Sequence, residues 1–315
     1  MTNTRRAFIR SAASAALCGG CQAASPAVAR RPSKLIDTHV HFFDPSRPQG
    51  VPWPPKGDAL LYRRTLPEDY LRLAVPQKAD GVVVVEASTW VEDNQWVLDL
   101  AAREPLIIGL VGNLPLGTEP FSSHLKRFAA NPLFKGVRIR DGNIAALAGD
   151  RAFLRDLAEV AERGLCFDVH SPPAWVEQAE RLSRAVPELR LIVNHVANVP
   201  VTGGPPPADW LRLMERLAAR PRVFMKVSGL VEGTGRRVGD APADPAFYRP
   251  TLEALWETFG ADRLIYGSNW PVSGRNAPLE TVQKIALAFF AEKGQDALDK
   301  VFWKNGCAAY RIGAS

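Results

Sequence analysis

A single-domain (β/α)8 barrel of the α/β class is the fold this sequence predicts, on three observations. Eight short β-branched or apolar runs are each followed by a stretch compatible with a helix. Their starts lie 24 to 46 residues apart, the room that one helix and two loops need. Three connections are long, and each follows the C-terminal end of a strand, the face on which such barrels keep their active sites.

In chain order, strands are expected over Leu35 to Phe42, Gly81 to Ala87, Leu106 to Val111, Gly136 to Arg140, Leu165 to His170, Leu189 to Val196, Arg222 to Gly229 and Arg263 to Trp270. The intervening stretches carry apolar stripes at spacings of three and four: Phe153, Leu157, Val160 and Ala161, then Leu211, Met214, Leu217 and Ala218, then Leu252, Leu255, Trp256 and Phe259. A doubly wound open sheet is the alternative, but no Gly-X-Gly-X-X-Gly turn follows the first strand. The long connections read DPSRPQGVPWPP after strand one, VPVTGGPPPADW after strand six and VEGTGRRVGDAPADPAFYRP after strand seven. Proline cannot donate to a ladder, so the first of these is expected as a stiff cover over the mouth.

With 46% hydrophobic and 23% charged residues in 315, the chain is neither disordered nor fibrous. Pro, Gly and charges interrupt every apolar run well short of the roughly 18 residues of a spanning helix. Lys and Arg number 39 against 33 Asp and Glu, but Arg5, Arg6 and Arg10 lie in the first 29 residues, which hold no acid; from Arg30 onward the count is 36 against 33. That small surplus is not gathered into runs with aromatics, so nucleic acid is not an expected partner; a small-molecule substrate is.

Residues 1–29 read as a twin-arginine-type signal: TRRAFIR, a weakly apolar stretch to Leu17, then an Ala-X-Ala cleavage site at Ala27 to Ala29. Export to the periplasm by that machinery is therefore expected, with the barrel occupying residues 34–312. A lipid anchor on Cys21 is the weaker reading, because Cys18, Gly19 and Gly20 match a lipidation box poorly. Beyond the signal, Cys166 and Cys307 are expected as buried free thiols.

Four of the five histidines, His39, His41, His170 and His195, fall at C-terminal strand ends. The strand period of two puts His39 and His41 on one face, where two imidazoles can reach one ion. IDTHVHFFDP, NHV, KVSGL, YGSNWPV and the closing VFWKNGCAAYRIG together resemble the amidohydrolase-related barrels, in particular the branch of L-fuconolactonase and related sugar-acid lactonases. The likeness spans nearly all of Lys34 to Ile312.

The resemblance implies a hydrolase in which His39 and His41 bind one divalent metal, usually Zn²⁺, with His170 a further ligand. His195 matches a position that binds metal or moves protons. The strand-eight acid of the pattern, Asp in Gly-Ser-Asp-Trp-Pro, is Asn269 here. An amide cannot take and release the attacking water's proton near neutral pH, so that work is expected to pass to His195, with an imidazole-only Zn²⁺ site lowering bound water to a pKa of about 7.

Other strand-end residues have expected parts. Arg138 and Arg140 share a face and can grip a carboxylate or polarise a carbonyl. Lys226 is expected either to stabilise an oxyanion or to pair with Glu86. Asp37 can orient an imidazole, and Asp168 can support or replace His170. Trp53, Trp90 and Trp270 can stack on a sugar ring. The expected activity is the opening of a cyclic ester, foremost a sugar-acid lactone; the rivals are a decarboxylase on the same barrel and a periplasmic binding protein that lost its chemistry at Asn269.

Overall fold

The computed structural model describes Met1 and residues 30–139, 147–170, 173–237 and 239–313. Most of the expected signal segment, residues 2–29, and Arg140 lie outside the described residues.

Eight parallel strands run in chain order, β1 (Ile36–Val40), β2 (Gly81–Val85), β3 (Ile107–Gly112), β4 (Phe134–Ile139), β5 (Cys166–Val169), β6 (Arg190–Val193), β7 (Val223–Val227) and β8 (Leu264–Tyr266). The ends of β8 and β1 meet: His41 N–H donates to the Trp270 carbonyl at 2.9 Å, and Asn269 N–H donates to the His39 carbonyl at 2.8 Å. These bonds bring the sheet nearly into a closed barrel.

Every residue of β2, GVVVV, is buried, as expected for a strand covered on both faces. Alternation sorts its side chains into two layers. Val82 and Val84 join the large cluster packed by the outer helices, whereas Val83 and Val85 join Val111, Cys166, Ile192, Phe224 and Ile265 in a smaller cluster inside the barrel. The helix Arg151–Glu162 shows how the outer layer is specified. Asp150 caps it by accepting from Ala152 N–H at 2.7 Å and Phe153 N–H at 3.1 Å, worth about 1 kcal/mol. Phe153, Leu157 and Val160 turn inward from it, and Gly164 at φ +68° ends it.

Two strands stop three or more residues short of their apolar runs. β6 ends at Val193 instead of Val196 because His195, Val196, Ala197 and Asn198 all take left-handed φ, between +45° and +56°. Such a conformation costs non-glycine residues roughly 1–2 kcal/mol apiece, and it turns His195 out of the ladder. β8 ends at Tyr266 instead of Trp270, and Asn269 is left-handed at φ +58°. The helix Ala208–Ala218 buries Leu213 beside Met214 and Leu217, while Leu211 is only half-buried, a shift of the stripe by part of a turn.

Gly136 on β4 lies against Cys166 on β5, and a Cβ there would meet the Cys166 Sγ and sit 2.6 Å from its backbone oxygen. Gly136→Ala is expected to destabilise by about 1–3 kcal/mol through overpacking. Gly149→Ala, with nothing within 4 Å of the added carbon, should stay within about 0.5 kcal/mol. Urea midpoints of the two variants test this, and equal midpoints would show that the β4–β5 contact yields.

Candidate active site

The strand ends converge on a cavity of about 240 Å³, lined among others by His41, Trp53, Arg138, His170, His195, Glu232 and Asn269. At about 30 Å³ per water that is the room of roughly eight waters, enough for a monosaccharide-sized ring. His39 forms part of the floor. Its ring centroid lies 5.0 Å from that of His41 and 4.4 Å from that of His195, with His170 a further 5.5 Å from His195.

Beneath this floor sits Lys226, fully buried on β7. Its ammonium reaches three acceptors: the Thr38 carbonyl at 3.1 Å, His39 Nδ1 at 3.2 Å and Asp168 Oδ2 at 2.9 Å. Tyr310 O–H adds a donor to the same carboxylate at 3.0 Å. Burial lowers the Lys226 pKa while Asp168 opposes the shift, and the three acceptors match the three protons of the charged form. Lys226 thus pairs with Asp168 on β5 and not with Glu86, and it does not line the cavity. Asp168 in turn is engaged with Lys226 and Tyr310, not with His170. Asp37 accepts from Tyr70 O–H at 2.9 Å, Ser268 N–H at 2.8 Å and His39 N–H at 3.1 Å, which pins β1 to the turn after β8 and leaves the imidazoles to other partners.

These contacts determine what the histidines offer. His41 Nδ1 lies 2.6 Å from the Val85 carbonyl, which only accepts, so Nδ1 is protonated; Nε2 faces the cavity 3.2 Å from Asn269 Oδ1, a contact that is a hydrogen bond only when Nε2 is protonated as well. His39 receives a proton from Lys226 at Nδ1, so a neutral ring carries its own proton on Nε2, a buried atom with no hydrogen-bond partner among the described residues. Burial, with Lys226 next, lowers the His39 pKa well below the ordinary value and keeps that ring neutral. A protonated Nε2 cannot ligate an ion. Among the described residues no three His, Cys, Asp or Glu side chains converge on one point. The set His39, His41 and His170 expected to hold Zn²⁺ therefore does not fit an ion as these side chains stand.

His195 is positioned by two contacts. Its Nδ1 lies 2.9 Å from Ser228 Oγ, and Gly229, at φ +70°, passes so close that a Cβ there would lie 2.6 Å from the His195 Cβ. Burial, then the charge of His170, lowers its pKa well below the ordinary histidine value, so it is a neutral imidazole near pH 7. Arg138 places its guanidinium at the mouth and donates through Nη2 to the Glu86 carbonyl.

Of the three tryptophans, only Trp53 lines the cavity, 5.8 Å from the His41 ring. Trp270 is buried against Tyr70 and Phe42, and Trp90 stands 39% exposed away from the cavity. A residue the sequence reading passed over is Glu232, in the turn Glu232–Thr234 after β7, whose Oε1 accepts from Asn269 Nδ2 at 2.7 Å. The signal was available: an acid lies at the head of a long loop at the mouth of a barrel whose strand-eight acid is missing.

The amidohydrolase family profile matches residues 36–312, and the chain belongs to that family. An L-fucono-1,5-lactonase from Burkholderia ambifaria is 30% identical over 286 aligned residues, covering 88% of this chain and 95% of that protein. A solved amidohydrolase from Burkholderia multivorans shares the fold at TM-scores of 0.80 with bound HEPES and 0.78 in a crystal form with bound zinc. In each case 22% of residues are identical, and the match covers 89% of this chain and 100% of that one.

Two expected outcomes follow from the buried charges. Lys226→Met leaves Asp168 without its cation inside the barrel and should cost about 3–5 kcal/mol in urea unfolding, much of it recovered in Lys226→Met/Asp168→Asn. A double variant as unstable as the single one would remove the pairing argument. Burial also raises Glu86 to a pKa of about 7 from an ordinary 4.5. Its folded pKa lies above its unfolded one, so the folded chain holds more protons between those values and stability falls as pH rises through that window. The Tm should drop between about pH 5 and pH 8, and Glu86→Gln should shrink the drop; an unchanged slope would show that Glu86 is ionised at no cost.

Proposed function

We propose that this amidohydrolase opens sugar-acid lactones by attack of water on the ring carbonyl. One observation carries the reading: Arg138 and three histidines gather around a cavity of monosaccharide size, in a chain 30% identical to an L-fucono-1,5-lactonase. Opening a cyclic ester requires donors for the oxygen that becomes an oxyanion. Arg138 supplies a fixed positive charge, and the neutral imidazole of His195 supplies an N–H without adding a second charge. Trp53 offers a flat apolar face to the ring. An ester needs less help than an amide, which suits a site without the strand-eight Asp. With Lys226 charged, His39 has no lone pair to present to an ion at the cavity.

We also propose that the chain is carried to the periplasm by the Arg5–Arg6 segment and released at Ala29; the support is the order of the arginine pair, apolar stretch and Ala-X-Ala site. Cell fractionation of the full chain beside an Arg5→Lys/Arg6→Lys variant tests it, and equal cytoplasmic retention of both would refute it.

The chain starting at Arg30 should release acid from a panel of aldonolactones in a pH-stat assay. His195→Ala or Arg138→Met should lower kcat by roughly 10²- to 10³-fold. Prolonged chelation should leave the rate unchanged; one equivalent of Zn²⁺ with chelator-sensitive turnover would show that Lys226 gives up its proton and that His39 ligates after all. A panel on which no lactone opens above background, while lactones still bind, would identify a binding protein.

A further inference from the structure

We propose that Glu232 takes the proton from the attacking water, work that the family pattern gives to a strand-eight Asp and that Asn269 cannot do; the assignment rests on the lactone reading above. Glu232 lines the cavity. Its Oε1 is held by Asn269 Nδ2 at 2.7 Å, while its Oε2 is buried and has no hydrogen-bond partner among the described residues. The carboxylate is therefore aimed by one oxygen and left with a second whose lone pairs are unspent.

Both halves of this contact are anchored. Asn269 is tied to β1 through its N–H on the His39 carbonyl at 2.8 Å. Next to Glu232, Gly233 N–H donates to the Gly229 carbonyl at 2.9 Å within the same connection, and its own carbonyl accepts from Val201 N–H at 2.9 Å, so the turn is fixed to the loop after β6. Burial raises the Glu232 pKa to about 7, which matches a base that must ionise and reprotonate near neutral pH. His195, pushed well below its ordinary value, holds a proton less readily.

The step balances with one carboxylate. Water oxygen bonds to the lactone carbonyl carbon, the carbonyl π pair moves to oxygen beside Arg138, and a water proton passes to Glu232. When the oxyanion collapses, the ring C–O bond breaks, and Glu232 returns that proton to the departing alkoxide. The new carboxylic acid ionises into solvent. Asn269 suits this arrangement because an Asp there would place two carboxylates within hydrogen-bonding distance, and one would be forced to stay protonated.

The titratable or charged groups around Glu232 are Tyr248 behind it, with a pKa pushed up to about 12, and His41, His170, His195 and Arg138 at the cavity. Tyr248 and Arg138 keep their charge states across neutral pH, and His195 stays neutral. The parent kcat/KM should thus rise with pH through an apparent pKa near 7. Glu232→Gln should fold, lose about 10²- to 10⁴-fold in kcat with KM little changed, and lose that limb. The swap Glu232→Gln/Asn269→Asp restores one acid and one amide in reversed places and should regain at least tenfold over Glu232→Gln.

A folded Glu232→Gln that keeps its kcat within about threefold overturns the assignment, as does a pH limb that persists in it and so belongs to His41 or His170. A folded swap variant no better than Glu232→Gln overturns it too. Should Glu232→Gln fail to fold, a parent profile flat from pH 5.5 to 8 overturns it without any variant. A parent that opens no lactone fails at the earlier reading and takes this one with it, whereas an active parent with an equally active Glu232→Gln fails here alone.

Discussion

The ion pair between Lys226 and Asp168 is the contact on which the rest of the site depends. Its members lie on β7 and β5, and the ammonium's other two protons go to a carbonyl and an imidazole of β1. Three strands far apart in sequence are thereby tied at one depth of the barrel. Tyr310, from the C-terminal segment, supplies the carboxylate with a further donor and closes the interior cluster beneath it. Removing two charges from water is expensive, and the arrangement is tolerable because each ammonium proton has an acceptor and both carboxylate oxygens have a donor. The return is a definite state for His39: its Nδ1 accepts from Lys226, and its inward nitrogen keeps the proton.

From that floor upward the molecule passes from rigid to strained. The strands pair in parallel around the barrel, with register shifts between β1 and β2, β2 and β3, and β3 and β4, and their largely buried residues make their ends fixed platforms. The residues immediately beyond them are where backbone strain collects, in the left-handed run from His195 to Asn198 and again at Asn269. Strain of this kind persists only where the surroundings over-determine the chain. Here Gly229 crowds His195 from one side and Ser228 holds it from another, its Oγ accepting the backbone N–H and its O–H donating to the ring Nδ1, while Asn269 hangs from the His39 carbonyl. The catalytic side chains gain their directions from these turns, which point them into the cavity where a continuing strand would point them along the barrel wall.

The eight strands and the gathering of His39, His41, His170 and His195 were legible because both rest on local periodicity and on the rule that barrel function sits at C-terminal strand ends. What the periodicity could not decide was pairing around the barrel. Glu86 and Asp168 both fall near the C-terminal ends of their expected strands, and only the closed sheet determines that Lys226 meets Asp168. The tautomer of His39, and with it the fit of a metal, follows from that pairing and was therefore out of reach. The tryptophans show the same limit. Trp53 and Trp270 flank the mouth in sequence, yet one lines the cavity and the other packs on Tyr70, a difference of packing that no spacing encodes.

Asn269 and Glu232 bear on how such a site survives the loss of its usual acid. A strand-end Asp is fixed by the ladder, but it also faces His41 at hydrogen-bonding distance and would be drawn into that contact. An amide at the same place gives its nitrogen to the carboxylate and aligns it without competing for the proton. The carboxylate moved to a loop keeps an oxygen with no hydrogen-bond partner among the described residues, and burial in a turn pinned to the loop after β6 raises its pKa toward neutrality. Acid and anchor have exchanged positions across a single 2.7 Å hydrogen bond. The chemistry depends on one ionisable oxygen within reach of the carbonyl carbon, and the barrel mouth can supply that oxygen from whichever of two adjacent strand ends holds it in place.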